Sequence, residues 1–358
     1  MDTQIIKVDT TVQNWDRQLD YAAEVLRSGG LVAFPTETVY GLGANALDGN
    51  AVKNIYKAKG RPSDNPLIVH ISSTDSLDKL VRNIPSAAFP LMEAFWPGPL
   101  TLIMPRSDII PDVITAGLDT VAIRMPSHPI AAALIRKAGV PVAAPSANSS
   151  GRPSPTLAKH VIEDLSGKID VIIDGGSSEI GVESTVLDIT VTPPMVLRPG
   201  GITLEQLREV LGNVSCDRAP SAPNASYIPK SPGMKYRHYS PKAAMLLLEG
   251  NNEQVAAEIS RRAALYHKEG TAVGILVTDE TASLYDPQLH TFCKILSLGS
   301  RKNPETLAAN LFRRLREFDE NAVDVIMAET TDVSGIGRAV MNRMLKAAGG
   351  NIIKLEEI

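Results

Sequence analysis

Two cations close together, Lys59 and Arg61, end a helical run and lead into a turn stiffened by Pro62 and Pro66, with Asn65 between them. Upstream lies a cluster of hydroxyls, Thr36, Thr38 and Tyr40, with the carboxylate of Glu37 among them. Cations at a helix exit can simply complement its dipole, by roughly 0.3 to 1 kcal/mol. Braced beside a hydroxyl-rich loop, they also suit an anionic ligand. Further on, Arg124 interrupts the apolar run Val121 to Met125, and a buried guanidinium must be paired. It either meets an internal carboxylate or receives one from outside, as its bidentate geometry favours. Ser146, Asn148, Ser149, Ser150, Arg152 and Ser154 then crowd donors onto one stretch. The sequence carries no GxxxxGK[ST] loop, no HExxH and no GxSxG, and its six histidines are scattered. Positive donors, hydroxyls and amides remain. They suit electrostatic and positional catalysis of attack on a phosphate, without a covalent enzyme intermediate.

The elements that must position these residues follow from the apolar pattern. Leu31 to Phe34, between Gly29-Gly30 and Pro35, reads as a buried strand. Gly41 and Gly43 then allow a sharp bend or a close approach to a ligand. Asn50 is placed to cap a helix carrying Val52, Ile55 and Tyr56, which Gly60 ends. Leu67 to Ile71, Leu100 to Met104 and Val121 to Met125 are expected strands; Asp16 to Arg27 and Pro129 to Lys137 are expected helices. PVAAPSANSSGRPSPT repeats the opening design, a short apolar strand running into hydroxyls, and ligands in α/β sheets bind beyond strand ends. Thr203 and Gln206 form a capping box for a helix from Leu204 to Leu211. Strands joined by turns alternate with strands joined by helices, which predicts an open, twisted, mixed sheet with helices packed on it.

From Gly212 to Pro241 the periodicity vanishes into a linker ending in SPGMKYRHYSP, where bases interleave with aromatics. From 242 to 358 strands and helices alternate, giving a smaller Rossmann-like three-layer α/β domain with a parallel sheet. Domains are therefore expected at 1–211 and 242–358. At 358 residues, 44% hydrophobic and 21% charged, the chain has the composition of a globular protein. Cys216 and Cys293 form no CxxC pair, so neither a disulfide framework nor a cysteine zinc site is indicated. No apolar run reaches the length of a membrane span and no signal-peptide pattern opens the chain, so a cytoplasmic protein is expected. The net charge of -4 argues against a chain that grips nucleic acid by its phosphates. Residues 1–210 hold 18 Lys and Arg against 23 Asp and Glu, while 211–241 is net +3.

The PTETVYGLG loop, the Lys-x-Arg of Lys59 and Arg61 with NPLIVHI behind it, and the Ser-Ala-Asn at Ser146 to Asn148 resemble the YrdC-like family. The whole chain is similar to the two-domain threonylcarbamoyl-AMP synthases, in which a YrdC-like domain precedes a smaller one. That resemblance implies use of L-threonine, bicarbonate and ATP, with Mg2+ on the triphosphate. The product would be the donor for threonylcarbamoyladenosine in tRNA, passed to a downstream transferase. It further implies a threonine cradle of Thr38, His70, Arg124, Ser184 and the backbone at Ala144. The nucleotide side would be Lys59, Arg61, Asn65, Thr120, Ser146, Asn148, Ser154, Arg198 and Tyr236, with Lys59 and Arg61 offsetting charge on the phosphates. No residue is assigned to a metal. Segment 232–241 corresponds to a loop that covers the active site as a lid. Two rivals stand beside this. A hydrogenase-maturation carbamoyltransferase shares the domain but carries cysteine zinc modules, which two isolated cysteines exclude. A non-enzymatic module could hold double-stranded RNA by shape on an open sheet.

Overall fold

The computed structural model describes residues 2–217 and 239–355. The chain folds as two compact units, Met1–Ser150 with Ser154–Tyr236, and Gly151–Pro153 with Arg237–Ile358. The first unit is built on strands β1 (Gln4–Lys7), β2 (Val32–Phe34), β3 (Gly41–Asn45), β4 (Ile68–His70), β5 (Leu100–Pro105) and β6 (Thr120–Arg124). Then come β7 (Val142–Ala143), β8 (Val171–Asp174), β9 (Thr185–Asp188), β10 (Met195–Arg198) and β11 (Ser215–Cys216). Their order across the sheet is β1-β8-β2-β3-β7-β4-β6-β5-β9-β10-β11, with parallel and antiparallel pairs mixed. The mixed sheet read from the connection lengths is the one that forms.

Side-chain alternation sorts the strands into two faces. Ala33, Val69, Leu100, Leu102, Val121 and Ile123 join the larger core. Val32, Phe34, Val142 and Val171 face the other way, under helices Asp20–Arg27 and Pro129–Ala138, with Leu26 and Leu134 packed against them. Burying one such leucine contributes about 1.5–3 kcal/mol. On that same face, but in a separate small cluster, lie Ile68, Ile103, Ala122 and Val186. This small cluster is the floor on which the polar residues of interest stand.

Local chemistry sets the helix ends. The helix Gly49–Lys59 is capped by Asp48, whose side chain accepts from the N–H groups of Asn50 and Ala51; Asn50 itself sits inside the first turn. Gly60 ends it at φ 63°, where a side chain would be strained. The capping box of Thr203 and Gln206 forms as expected on Leu204–Leu211. The strand β11 then pairs with β10, so the first sheet extends beyond the boundary expected at 211. Tyr236 and the rest of segment 232–238 lie outside the described residues.

The second unit carries β12 (Ala244–Glu249), β13 (Val273–Val277), β14 (Cys293–Ser297), β15 (Val325–Glu329) and β16 (Ile352–Lys354). They pair in parallel in the order β14-β13-β15-β12-β16. Within it Tyr239 stacks on Phe312, ring centroids 5.2 Å apart.

Candidate functional site

Strand β6 places Thr120, Ala122 and Arg124 on one face, and the parallel register with β4 sets His70 beside Arg124. Arg124 is 4% exposed and thoroughly held. Its Nε donates to the carbonyl of Gly98 at 3.3 Å and its Nη1 to the hydroxyl of Thr38 at 2.9 Å. Its Nη2 lies 2.6 Å from Oε1 of Glu37 in a buried ion pair. An internal carboxylate therefore does meet Arg124, and the guanidinium keeps N–H donors beyond those given to Gly98 and Thr38. Burial by itself would raise the Glu37 pKa, but the charge of the Arg124 guanidinium beside it leads the effects that outweigh burial and hold the carboxyl below its ordinary range. Burial, reinforced by the charge of Arg124, pushes His70 down to about 3, so its imidazole is neutral. Its Nδ1 lies 3.2 Å from the Ile68 carbonyl, to which a neutral ring donates.

The hydroxyl loop before β3 and the serine-rich loop after β7 are sewn together by main-chain bonds. Leu42 N–H donates to the Pro145 carbonyl, Ala147 N–H to that of Tyr40, and Tyr40 N–H to that of Pro155, each at 2.8 Å. Lys59 closes the corner. It is 4% exposed, and its Nζ donates to the Ser146 carbonyl at 2.5 Å and to the carbonyl and side chain of Asn148. A solvated cation at a helix end would not be buried in this way. Arg61 is half-buried, over the ring of Tyr56 and 3.4 Å from the Asn65 carbonyl. The loop 35–43, the serine-rich loop that opens at 144, and the cationic corner at 59–61 are therefore joined to one another.

A third group joins the other two. Ser184 exchanges a hydrogen bond with Thr101, the β5 partner of Arg124, at 2.8 Å. Arg198 donates to the Ser184 carbonyl from Nε and Nη2 and to its hydroxyl from Nη2. Ser154 donates to Glu183 at 2.5 Å. Ser184 thus touches both the arginine assigned to the nucleotide and the strand next to the arginine assigned to the amino acid. Ala144 borders the same region, although its N–H is already given to Ile68, leaving only its carbonyl for a ligand. Thr120 is the outlier. It shares the face of Arg124 but stands four residues back along β6, roughly 13 Å away at the usual strand rise.

Gly43 does a different job from the one expected. Neither it nor Gly41 is at positive φ. A Cβ on Gly43 would fall 2.8 Å from the ring of Phe34 and equally close to Val142, whereas one on Gly41 would meet Phe34 and Ala144 at 3.4 Å, in ordinary contact. Gly43 thus lets β3 approach Phe34, whose ring meets His70 edge-on. Sequence reasoning left Glu37, Thr101 and Glu183 without roles. A signal for Glu37 was present, since an arginine inside an apolar strand demands a carboxylate, and PTET supplies one beside a strand end.

Comparison with known proteins places this geometry. A family model described as telomere recombination matches residues 24–200, and one described as the C-terminal domain of threonylcarbamoyl-AMP synthase matches residues 202–349. The threonylcarbamoyl-AMP synthase of Pyrococcus abyssi is 50% identical over 99% of this chain and 100% of its own. That of Bacillus subtilis is 52% identical over 95% of each chain. The crystal structure of P. abyssi Sua5 complexed with L-threonine superimposes with a TM-score of 0.92 at 50% identity, covering 99% of this chain and 100% of that one.

Proposed function

The chain belongs to the threonylcarbamoyl-AMP synthase family, and from that premise we propose that it condenses L-threonine, bicarbonate or carbon dioxide, and ATP into threonylcarbamoyl-AMP and pyrophosphate. This makes it a nucleotidyltransferase. The observation that carries the reading is Arg124, a buried guanidinium at a strand end, fixed by Gly98, Thr38 and Glu37 and suited to an amino-acid carboxylate. The relative whose structure holds L-threonine supports it.

The threonine ammonium gives up one proton to become the free amine and a second as that amine takes up carbon dioxide and becomes a carbamate. A carbamate oxygen then attacks the α-phosphorus of ATP and pyrophosphate leaves. Thr38, His70, Arg124, Ser184 and the Ala144 carbonyl surround the amino acid; neutral His70 adds no charge to compete with the ammonium. Lys59, Arg61, Asn65, Thr120, Ser146, Asn148, Ser154 and Arg198, with Tyr236 outside the described residues, take the nucleotide. Lys59 and Arg61 offset negative charge that moves onto the departing pyrophosphate. Lys59 also keeps the 146–148 loop in place, so the ligand meets a preformed wall. The donor set on this side is cationic or neutral, which fits phosphates directly and a metal only through them. Mg2+ would be held by phosphate oxygens and water, where it shields the triphosphate charge. The product would pass to a transferase acting on tRNA, in the cytoplasm. Among the described residues no helix is long and apolar enough to cross a membrane.

The decisive assay is pyrophosphate release with each amino acid in turn, with and without bicarbonate. Release that needs both L-threonine and bicarbonate is expected. Release indifferent to the amino acid would overturn the reading, and salt-sensitive RNA binding without turnover would favour the RNA-binding module instead.

A further inference from the structure

We propose that Glu37 is the positioning residue of the amino-acid subsite: its carboxylate, fixed by its own loop, turns the Arg124 guanidinium so that the substrate carboxylate meets two free N–H donors. This rests on Arg124 receiving that carboxylate, as proposed above.

The donor count carries the argument. A guanidinium has five N–H donors. Among the described residues Nε is given to Gly98 and one Nη1 hydrogen to Thr38, while Nη2 faces Glu37 in an ion pair without an aligned hydrogen bond. The second Nη1 hydrogen and an Nη2 hydrogen are thus open to a substrate carboxylate, the pair of donors that a bidentate contact takes. Glu37 is a lateral partner: the 2.6 Å contact from Oε1 to Nη2 is an ionic one, without the alignment of a hydrogen bond. It therefore steers the guanidinium without saturating it.

The carboxylate can steer because its main chain cannot move. The Glu37 carbonyl accepts from Ile180 N–H at 2.8 Å and the Thr38 carbonyl from Gly181 N–H at 3.1 Å, tying the loop to the segment before β9. Thr36 bonds both the Thr38 hydroxyl and the Val39 carbonyl from within the same turn. Other titratable groups nearby are His70 beside Arg124, and His128, which senses Glu37 and Glu179; burial favours the neutral form of both histidines. Arg124 is thus the cation facing Glu37 in this group, and Glu37 the anion that balances it before substrate arrives. Removing that anion would leave a buried charge free to swing toward any other acceptor.

The test uses the full chain and two probes, L-threonine and L-threoninamide, which lacks the carboxylate. Wild type should bind L-threonine about 10- to 100-fold more tightly than the amide, the range of a charge-assisted pair. Glu37→Gln should lose most of that preference by weakening L-threonine alone, leaving amide affinity and the KM for ATP within about threefold. Glu37→Asp, which restores the charge, should recover part of it. A purely structural role would weaken both probes together, and unchanged preference in Glu37→Gln would remove the inference while leaving the function intact. If wild type does not distinguish the two probes, the assignment of Arg124 falls and the inference with it. Should the variants not fold, 15N spectra of arginine guanidinium groups in unliganded wild type decide. Separate, slowly exchanging Nη protons for Arg124 are expected, and fully averaged ones would contradict a steered guanidinium.

Discussion

The ammonium of Lys59 lies 2.5 Å from the main-chain oxygen of Ser146, so a residue on the helix Gly49–Lys59 holds the loop that follows β7. Lys59 is therefore part of the wall, in addition to the ligand charge proposed for it, whereas Arg61, half-buried on its turn, leans on Tyr56 and Asn65 within its own stretch of chain.

The two cations should separate in experiment. Lys59→Met leaves buried carbonyls without their donor and should cost about 1–3 kcal/mol of stability along with activity. Arg61→Ala should depress pyrophosphate release by roughly 10²- to 10³-fold while the thermal midpoint stays near wild type. Equal thermal losses in the two variants would contradict this division.

Acid should weaken the fold through His70. Its folded pKa, about 3, lies below the ordinary 6.5, so the unfolded chain binds a proton that the native protein refuses. Stability from this source is complete above pH 6.5 and declines as pH falls toward 3, by up to about 1.4 kcal/mol per pH unit. His128 shifts the same way, so it adds to the slope. Urea denaturation at pH 7, 6 and 5 should show His70→Gln with a shallower decline than wild type, and parallel curves would refute the burial of a neutral imidazole.

Gly43→Ala should cost about 1–3 kcal/mol, because the added methyl meets Phe34 and Val142 at 2.8 Å on well-packed strands. Calorimetry on this variant checks it. A wild-type midpoint would mean that β3 has room to move.

Asp48→Ala should cost about 1 kcal/mol by stripping two N–H groups of their acceptor at the start of the helix leading to Lys59, while Asn50→Ala should cost much less. Comparing the two melts tests which residue is the cap.

Much of this is legible in the residues alone. The alternation in Leu100 to Met104 and Thr120 to Arg124 marks strands, and the oddity of arginine in such a run marks the site, because burial makes charge expensive. Glycine caps at Gly60 and Gly139 are equally plain. The cap at Asp48 is not, since Asp48 and Asn50 are both capping residues and only the backbone decides between them. Gly43 hides its part for a related reason: a glycine serves a bend or a close neighbour, and the neighbour, Phe34, is in another strand. The pairing of β11 with β10 escapes because two residues are too few to show a period.

If Thr120 takes the nucleotide and Arg124 the amino acid, as proposed, the five residues from one to the other amount to a gauge between the two reacting partners. Because the pleat alternates, one residue inserted there would turn the guanidinium away into the apolar core while leaving the flanking segments their own sequences. A longer loop elsewhere leaves that spacing untouched, whereas a single-codon indel at Ala122 would break it and, on the proposed function, should silence the protein.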